Sequence, residues 1–205
     1  MNIGIIGAGH IGANAALLFA NAGHSVAISN SRGPESLTSL VEEIGGDTRA
    51  ATVEDAASFS EVVLVAIPFW RYETLPSAQL AGKVVIDAMN YYAGRDGRID
   101  FGDLASSEVV ARHLPDARVV KAFNTMYYET LRTQGNPSDG HRLVLFVAGD
   151  DEEAKAVVAG LIEEIGFEPI DTGSLRDGGR KQQPGSPIYN NPMTAEQARE
   201  TLAGL

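Results

Sequence analysis

The feature that most limits what this chain can become lies at its start. A short apolar run, Asn2 to Ile6, leads into the hexapeptide GAGHIG, with glycines at 7, 9 and 12. An alanine-rich apolar stretch from Ile11 to Ala22 follows. A buried strand, a sharp glycine turn and a helix in immediate succession form the turn that carries a dinucleotide. The three glycines serve different ends. Gly7 permits the tight turn, Gly9 allows close approach of a pyrophosphate, and Gly12 lets the helix pack on the strand. The helix then presents unpaired N–H groups and the positive end of its dipole to the phosphates.

The remainder of the chain continues the alternation. Val26 to Ser29 reads as a second strand, Pro34 to Ile44 as a helix with proline in its first turn, and Arg49 to Ala51 as a short strand. The runs EVVLVAIP (61–68), KVVIDAMN (83–90), ARVVKAFNT (117–125) and RLVLFVAGD (142–150) are almost continuously apolar. Such strands are covered on both faces, as in a parallel sheet between helices. A helix over Glu152 to Ile165 and a last strand in FEPIDTG complete the pattern. The fold class is therefore α/β: a Rossmann-type doubly wound, mostly parallel sheet in a single domain with a short C-terminal extension. The expected division is 1–173 for the NADP-binding domain, with 174–205 a loop and short helix completing it. Thr194 and Gln197 have capping-box spacing for that helix. Tyr91 to Leu104 and Thr133 to His141 are expected to be irregular.

The cofactor is read at the end of the second strand, which carries Asn30, Ser31 and Arg32 where an NAD site would place a carboxylate. A carboxylate repels a 2′-phosphate. A serine hydroxyl and an arginine fork hold one. The expectation is NADP, with Glu35 a nearby opposing charge set at a helix start.

Composition excludes several classes. The net charge of -11 repels nucleic acid and anionic membranes, so neither is an expected partner. There is no cysteine and hence no thiol chemistry. No stretch reaches the roughly 20 apolar residues of a membrane span. The N-terminus goes directly into a strand pattern, and a cytoplasmic location is expected. The nucleophile-elbow, zinc-protease and P-loop motifs are missing, the four histidines lack ligand spacing, and no metal is expected.

GAGHIG, SNSRGPESL, VAIPF, VIDAMNYY, RVVKAFNT and VAGDDEEAK together resemble the NADP-dependent oxidoreductases that use the deazaflavin coenzyme F420. They also resemble the related cytoplasmic reductase domain of membrane ferric reductases. The resemblance runs from Met1 to about Gly173. It implies hydride transfer between NADP(H) and a stacked F420, FMN or FAD ring. Carried over by position, Gly7, Gly9, His10, Ile11 and Gly12 hold the pyrophosphate and border the nicotinamide. Asn30, Ser31 and Arg32 form the 2′-phosphate site, Ile67, Pro68 and Phe69 line the adenosine side, and Asn90 and Asn124 lie near the nicotinamide. No catalytic residue is assigned beyond the nicotinamide-proximal His10, Asn90 and Asn124. A homodimer is expected.

Hydride exchange between two rings needs orientation and water exclusion rather than a nucleophile. Reduction of a carbonyl or imine would also need a proton donor, for which Tyr91, Tyr92, Tyr127, Tyr128 and Lys121 are the candidates. Such a small-molecule reductase, or a redox sensor without turnover, is the alternative. The loop NYYAGRDGRID (90–100) and the tail from Gly178 to Pro192 depart from the pattern of archaeal F420 enzymes and leave the second substrate open. Arg176, Arg180 and Lys181 at the start of that region form a basic cluster that could meet an anionic coenzyme tail.

Overall fold

A computed structural model describes residues 1–135 and 142–205. Eight strands form one sheet: β1 (Asn2–Ile6), β2 (Ser25–Ser29), β3 (Thr48–Ala51), β4 (Val62–Val65), β5 (Val84–Asp87), β6 (Arg118–Lys121), β7 (Val144–Gly149) and β8 (Glu168–Asp171). The spatial order is β3-β2-β1-β4-β5-β6-β7-β8. All neighbours are parallel except β6 and β7, which run antiparallel. Chain order reverses between β1 and β4, and it is there that such a sheet opens a crevice at its carboxyl ends.

Alternate residues of the central strands face opposite layers. Ile3, Ile5, Leu64, Ile86 and Val120 share one core layer with Ala15, Ala16 and Phe19 of α1 (His10–Asn21). Ile6, Val63, Val65, Val85 and Val119 face the other layer. This two-sided burial explains the unbroken apolar runs in the sequence. The remaining helices are α2 (Thr38–Ile44), α3 (Val53–Ser58), α4 (Ser77–Leu80), α5 (Ala93–Asp96), α6 (Ser106–His113), α7 (Tyr128–Thr133), α8 (Glu152–Glu164), α9 (Asp177–Lys181) and α10 (Ala195–Ala203). Thr52 and Asp151 cap α3 and α8, accepting from the amides of Asp55 (3.1 Å) and Ala154 (2.9 Å).

The expected helix over 34–44 divides in two. Pro34–Leu37 is a 3₁₀ turn, and the α-helix starts at Thr38. The irregular stretch at 91–104 contains the single turn α5, and residues 136–141 of the second stretch lie outside the described residues. The polar tail is not a loose appendage. Ile188, Met193 and Ala198 pack with Val144, Phe146 and Ile170 at the β7–β8 edge. One half of the expected capping box is present, the Thr194 amide donating to Gln197 Oε1 at 3.0 Å.

Candidate functional site

The glycine turn follows β1 at the reversal point. Gly7 has φ 111°, a region L side chains rarely adopt, and a Cβ there would lie 2.3 Å from the Ala66 carbonyl oxygen. A Cβ on Gly12 would lie 1.8 Å from the Gly7 carbonyl oxygen. These two glycines are required by the fold itself. Gly9 differs: its backbone is extended (φ -78°, ψ -172°), and a Cβ there would meet nothing within 4 Å. Glycine at this position leaves space on the cleft side. It is the N-cap of α1 and offers no side-chain cap, so the first-turn N–H groups remain available to a ligand.

Two cavities meet at this turn and share Gly9, Ala66, Ile67 and Pro68 in their walls. The first, about 440 Å³, is bounded by Gly7, Ser31, Arg32, Glu54, Arg71 and Thr74. Ser31 and Arg32 are exposed at the end of β2. Asn30 also lines it, but its side chain is committed to the turn. It accepts from the Arg32 amide at 2.8 Å and donates to Ser36 Oγ at 2.9 Å. Phe69 requires a correction: its side chain does not line the cavity. It is 0% exposed and packs among Tyr72, Tyr91 and Phe101, with ring centroids 5.3–5.8 Å away. The chain after β4 enters a 3₁₀ turn (Phe69–Thr74) that drives Phe69 inward as an anchor.

The second cavity, about 610 Å³, is walled by His10, Ile11, Met89, Met126 and four tyrosines, Tyr92, Tyr127, Tyr128 and Tyr189. His10 stacks on Tyr128 at 4.1 Å with 17° between the rings. Asn14 of α1 donates to the Tyr128 carbonyl at 2.7 Å and fixes α7 beside the glycine turn. Tyr127 and Glu129 beside the Tyr128 phenol hold its proton on, with the pKa raised to about 12. Tyr92 and Tyr189 join hydroxyl to hydroxyl, one from the 91–104 loop and one from the tail. Burial, then the bond to Tyr92, raises the Tyr189 pKa.

Asn90 and Asn124 come together at the ends of β5 and β6. Asn90 Nδ2 donates to the Asn124 carbonyl (2.8 Å), and Asn124 Nδ2 donates to Asn90 Oδ1 (3.1 Å) and to the Gln182 carbonyl (2.8 Å). The tail is thus tied to the cleft floor. Phe123, just before Asn124, has φ 65° while fully buried against Phe19. Such strain is held only where the surroundings over-determine it.

Several sequence candidates lie elsewhere. Lys121 is 1% exposed, and its ammonium meets Asp87 Oδ2 at 3.1 Å and the Met89 carbonyl. It is sealed below the cleft, and desolvation lowers its pKa despite the Asp87 charge. The Tyr91 hydroxyl is bound to Gly97 and Ile99 in the loop. Arg180 donates to the Asp103 carbonyl, and neither it, Arg176 nor Lys181 walls either cavity. The sequence reading missed Arg71 and Thr74 in the first cavity and Tyr189 and Asn190 in the second. The tail residues are brought in by the Asn190 amide donating to the Thr125 carbonyl at 2.7 Å.

A doubly wound sheet with a glycine turn at its reversal point, opening into two joined cavities, defines a dinucleotide-binding oxidoreductase architecture. The family model described as NADP oxidoreductase, coenzyme F420-dependent, matches residues 2–91 of the chain. The chain is 34% identical over 175 residues to the metalloreductase STEAP3 of Rattus norvegicus, 84% of this chain. It spans about a third of that relative's length (34%). The crystal structure of a hypothetical protein from Sinorhizobium meliloti superposes with a TM-score of 0.85 at 34% identity, over 95% of each chain. A protein from Arthrobacter sp. FB24, put forward as an F420-dependent NADP reductase, gives 0.72 at 28% identity, over 84% of this chain and 85% of that one. Among the described residues no helix is long and apolar enough to cross a membrane.

Proposed function

We propose that this protein exchanges hydride between NADP(H), bound across the glycine turn, and a planar deazaflavin or flavin ring received in the tyrosine-walled cavity. One observation carries the reading: two cavities of different chemistry abut across Gly9 and the Ile67–Pro68 segment. The first offers Ser31 and Arg32 to a 2′-phosphate, and the second offers aromatic faces to a ring.

The residues fit a dinucleotide. Gly9 leaves its side of the turn clear, and the first-turn N–H groups of α1 point to where a pyrophosphate would rest. The nicotinamide, when bound, supplies the hydride. The chain's own part is to place and shield it. His10 on Tyr128 makes a flat wall beside the turn, and the Asn90–Asn124 pair holds the ends of β5 and β6 in fixed register. The Tyr92–Tyr189 bridge joins loop and tail at the second cavity, which restricts water. The tyrosines of the second cavity serve in this reading as aromatic walls for the ring rather than as proton donors.

The test is anaerobic stopped-flow mixing of the protein and NADPH with oxidised F420 or FMN. Rapid loss of the visible absorbance of either ring supports the reading. NADPH binding with neither ring reduced overturns it and points to an organic carbonyl or imine, or to a sensor.

A further inference from the structure

We propose that Arg71 acts with Arg32 as a second determinant of the 2′-phosphate, so that two arginines from opposite sides of β1 select the phosphorylated dinucleotide. This rests on the reading of the first cavity as the adenosine site.

Arg32 follows β2 and Arg71 follows β4, the two strands that flank β1 in the sheet. Both line the first cavity. Arg71 is carried on a well-fixed turn. Its amide donates to the Pro68 carbonyl at 3.0 Å, and Thr74 Oγ1 donates to the Arg71 carbonyl at 2.8 Å. A 3₁₀ turn has three residues per turn, so Phe69 and Tyr72 share its inner side and pack together, while Arg71 falls on the cavity side.

Most arginines among the described residues have no carboxylate within 4.0 Å, and Arg32 and Arg71 are set apart by lining one cavity together. Arg95, Arg118 and Arg132 each lie beside a carboxylate within 4.0 Å. Among the described residues neither Arg32 nor Arg71 has such a partner, although the chain carries 27 acidic residues against 16 basic ones. The Arg71 guanidinium instead lies near the Trp70 ring, 5.6 Å from its centroid. Glu54 also faces the cavity without reaching either arginine as an ion pair. Two unpaired guanidinium groups around one recess suit a phosphate dianion, which accepts from both forks. A ribose hydroxyl offers them much less.

The experiment measures binding of NADP⁺, NAD⁺ and adenosine 2′,5′-bisphosphate by titration calorimetry to the full chain and to Arg71→Ala, Arg71→Lys and Arg32→Ala, with thermal unfolding of each apoprotein. Arg71→Ala should weaken NADP⁺ and the bisphosphate on the order of ten- to a hundredfold. It should change NAD⁺ by less than about threefold and leave unfolding unchanged, and Arg71→Lys should restore part of the loss. Equal losses for NADP⁺ and NAD⁺ would mean an adenine contact and overturn the proposal, as would no loss at all. If the wild type does not prefer NADP⁺, the cofactor reading itself fails. If it prefers NADP⁺ and only Arg32→Ala abolishes the preference, the inference about Arg71 fails alone.

Discussion

The three glycines of the turn make opposite demands, and alanine substitution separates them. At Gly9 the backbone is already in a region alanine adopts freely, and the new methyl meets no protein atom within 4 Å. Replacing glycine at such a position removes unfolded-state entropy worth about 0.4–1 kcal/mol, and the poorer N-cap that alanine makes for α1 offsets it by a similar amount. For a chain of this size Tm then stays within about 2–4 °C of the wild type. The methyl, however, enters the space between the first turn of α1 and the bound phosphates. An added methyl in a close-packed contact costs about 1–3 kcal/mol, so the NADP⁺ dissociation constant should rise about five- to a hundredfold. Gly9→Ala should therefore fold about as stably as the wild type and bind its cofactor worse. Gly12→Ala is the control: its Cβ would lie 1.8 Å from the Gly7 carbonyl oxygen, so the helix must move and Tm must fall. Thermal unfolding by circular dichroism together with NADP⁺ titration reads both quantities. Gly9→Ala binding as tightly as wild type, or losing stability as Gly12→Ala does, would refute the assignment of Gly9 to the ligand.

Three further outcomes follow from the same geometry. Arg32→Ala should weaken NADPH about tenfold or more and NADH little, measured by fluorescence titration; equal loss would remove Arg32 from the 2′-phosphate site. Lys121→Met leaves the Asp87 carboxylate, 0% exposed, without its counter-charge. It should cost about 3–5 kcal/mol in urea unfolding, much of which Asp87→Leu added to it should return; a single variant of wild-type stability would show the pair to be unimportant. Tyr92→Phe and Tyr189→Phe should each keep ring reduction within about threefold, because the cleft acts by placement. A fall of the general-acid size, about 10²–10⁴, would make the tyrosine pair a proton donor and favour a carbonyl or imine substrate.

What could be read from the sequence divides by physical range. The glycine turn and the strands were legible because each depends on local backbone geometry or on burial from both sides. Gly7 and Gly12 show this directly, since their side-chain volume is excluded by atoms of the turn and of the adjoining strand end. The direction of individual side chains past strand ends was not legible. Positions 67–69 look like one cavity-lining segment, yet the 3₁₀ turn sends Phe69 into the core and brings Arg71 to the cavity. Lys121 shows the same limit: a cation ending an apolar strand reads as facing the cleft, but its register partner Asp87 draws it inward. The tail was misleading by composition. Its polar residues hide Ile188 and Met193, whose burial on the β7–β8 edge carries Tyr189 and Asn190 to the cleft. No local pattern announces that return, because it is set by contacts with strands that precede the tail by tens of residues. The first cavity, built mainly on the first four strands and their loops, was therefore the part of the cleft a sequence could state. The tyrosine-walled cavity is assembled from five separated segments, the last of them in the tail, where the chain gives least local notice.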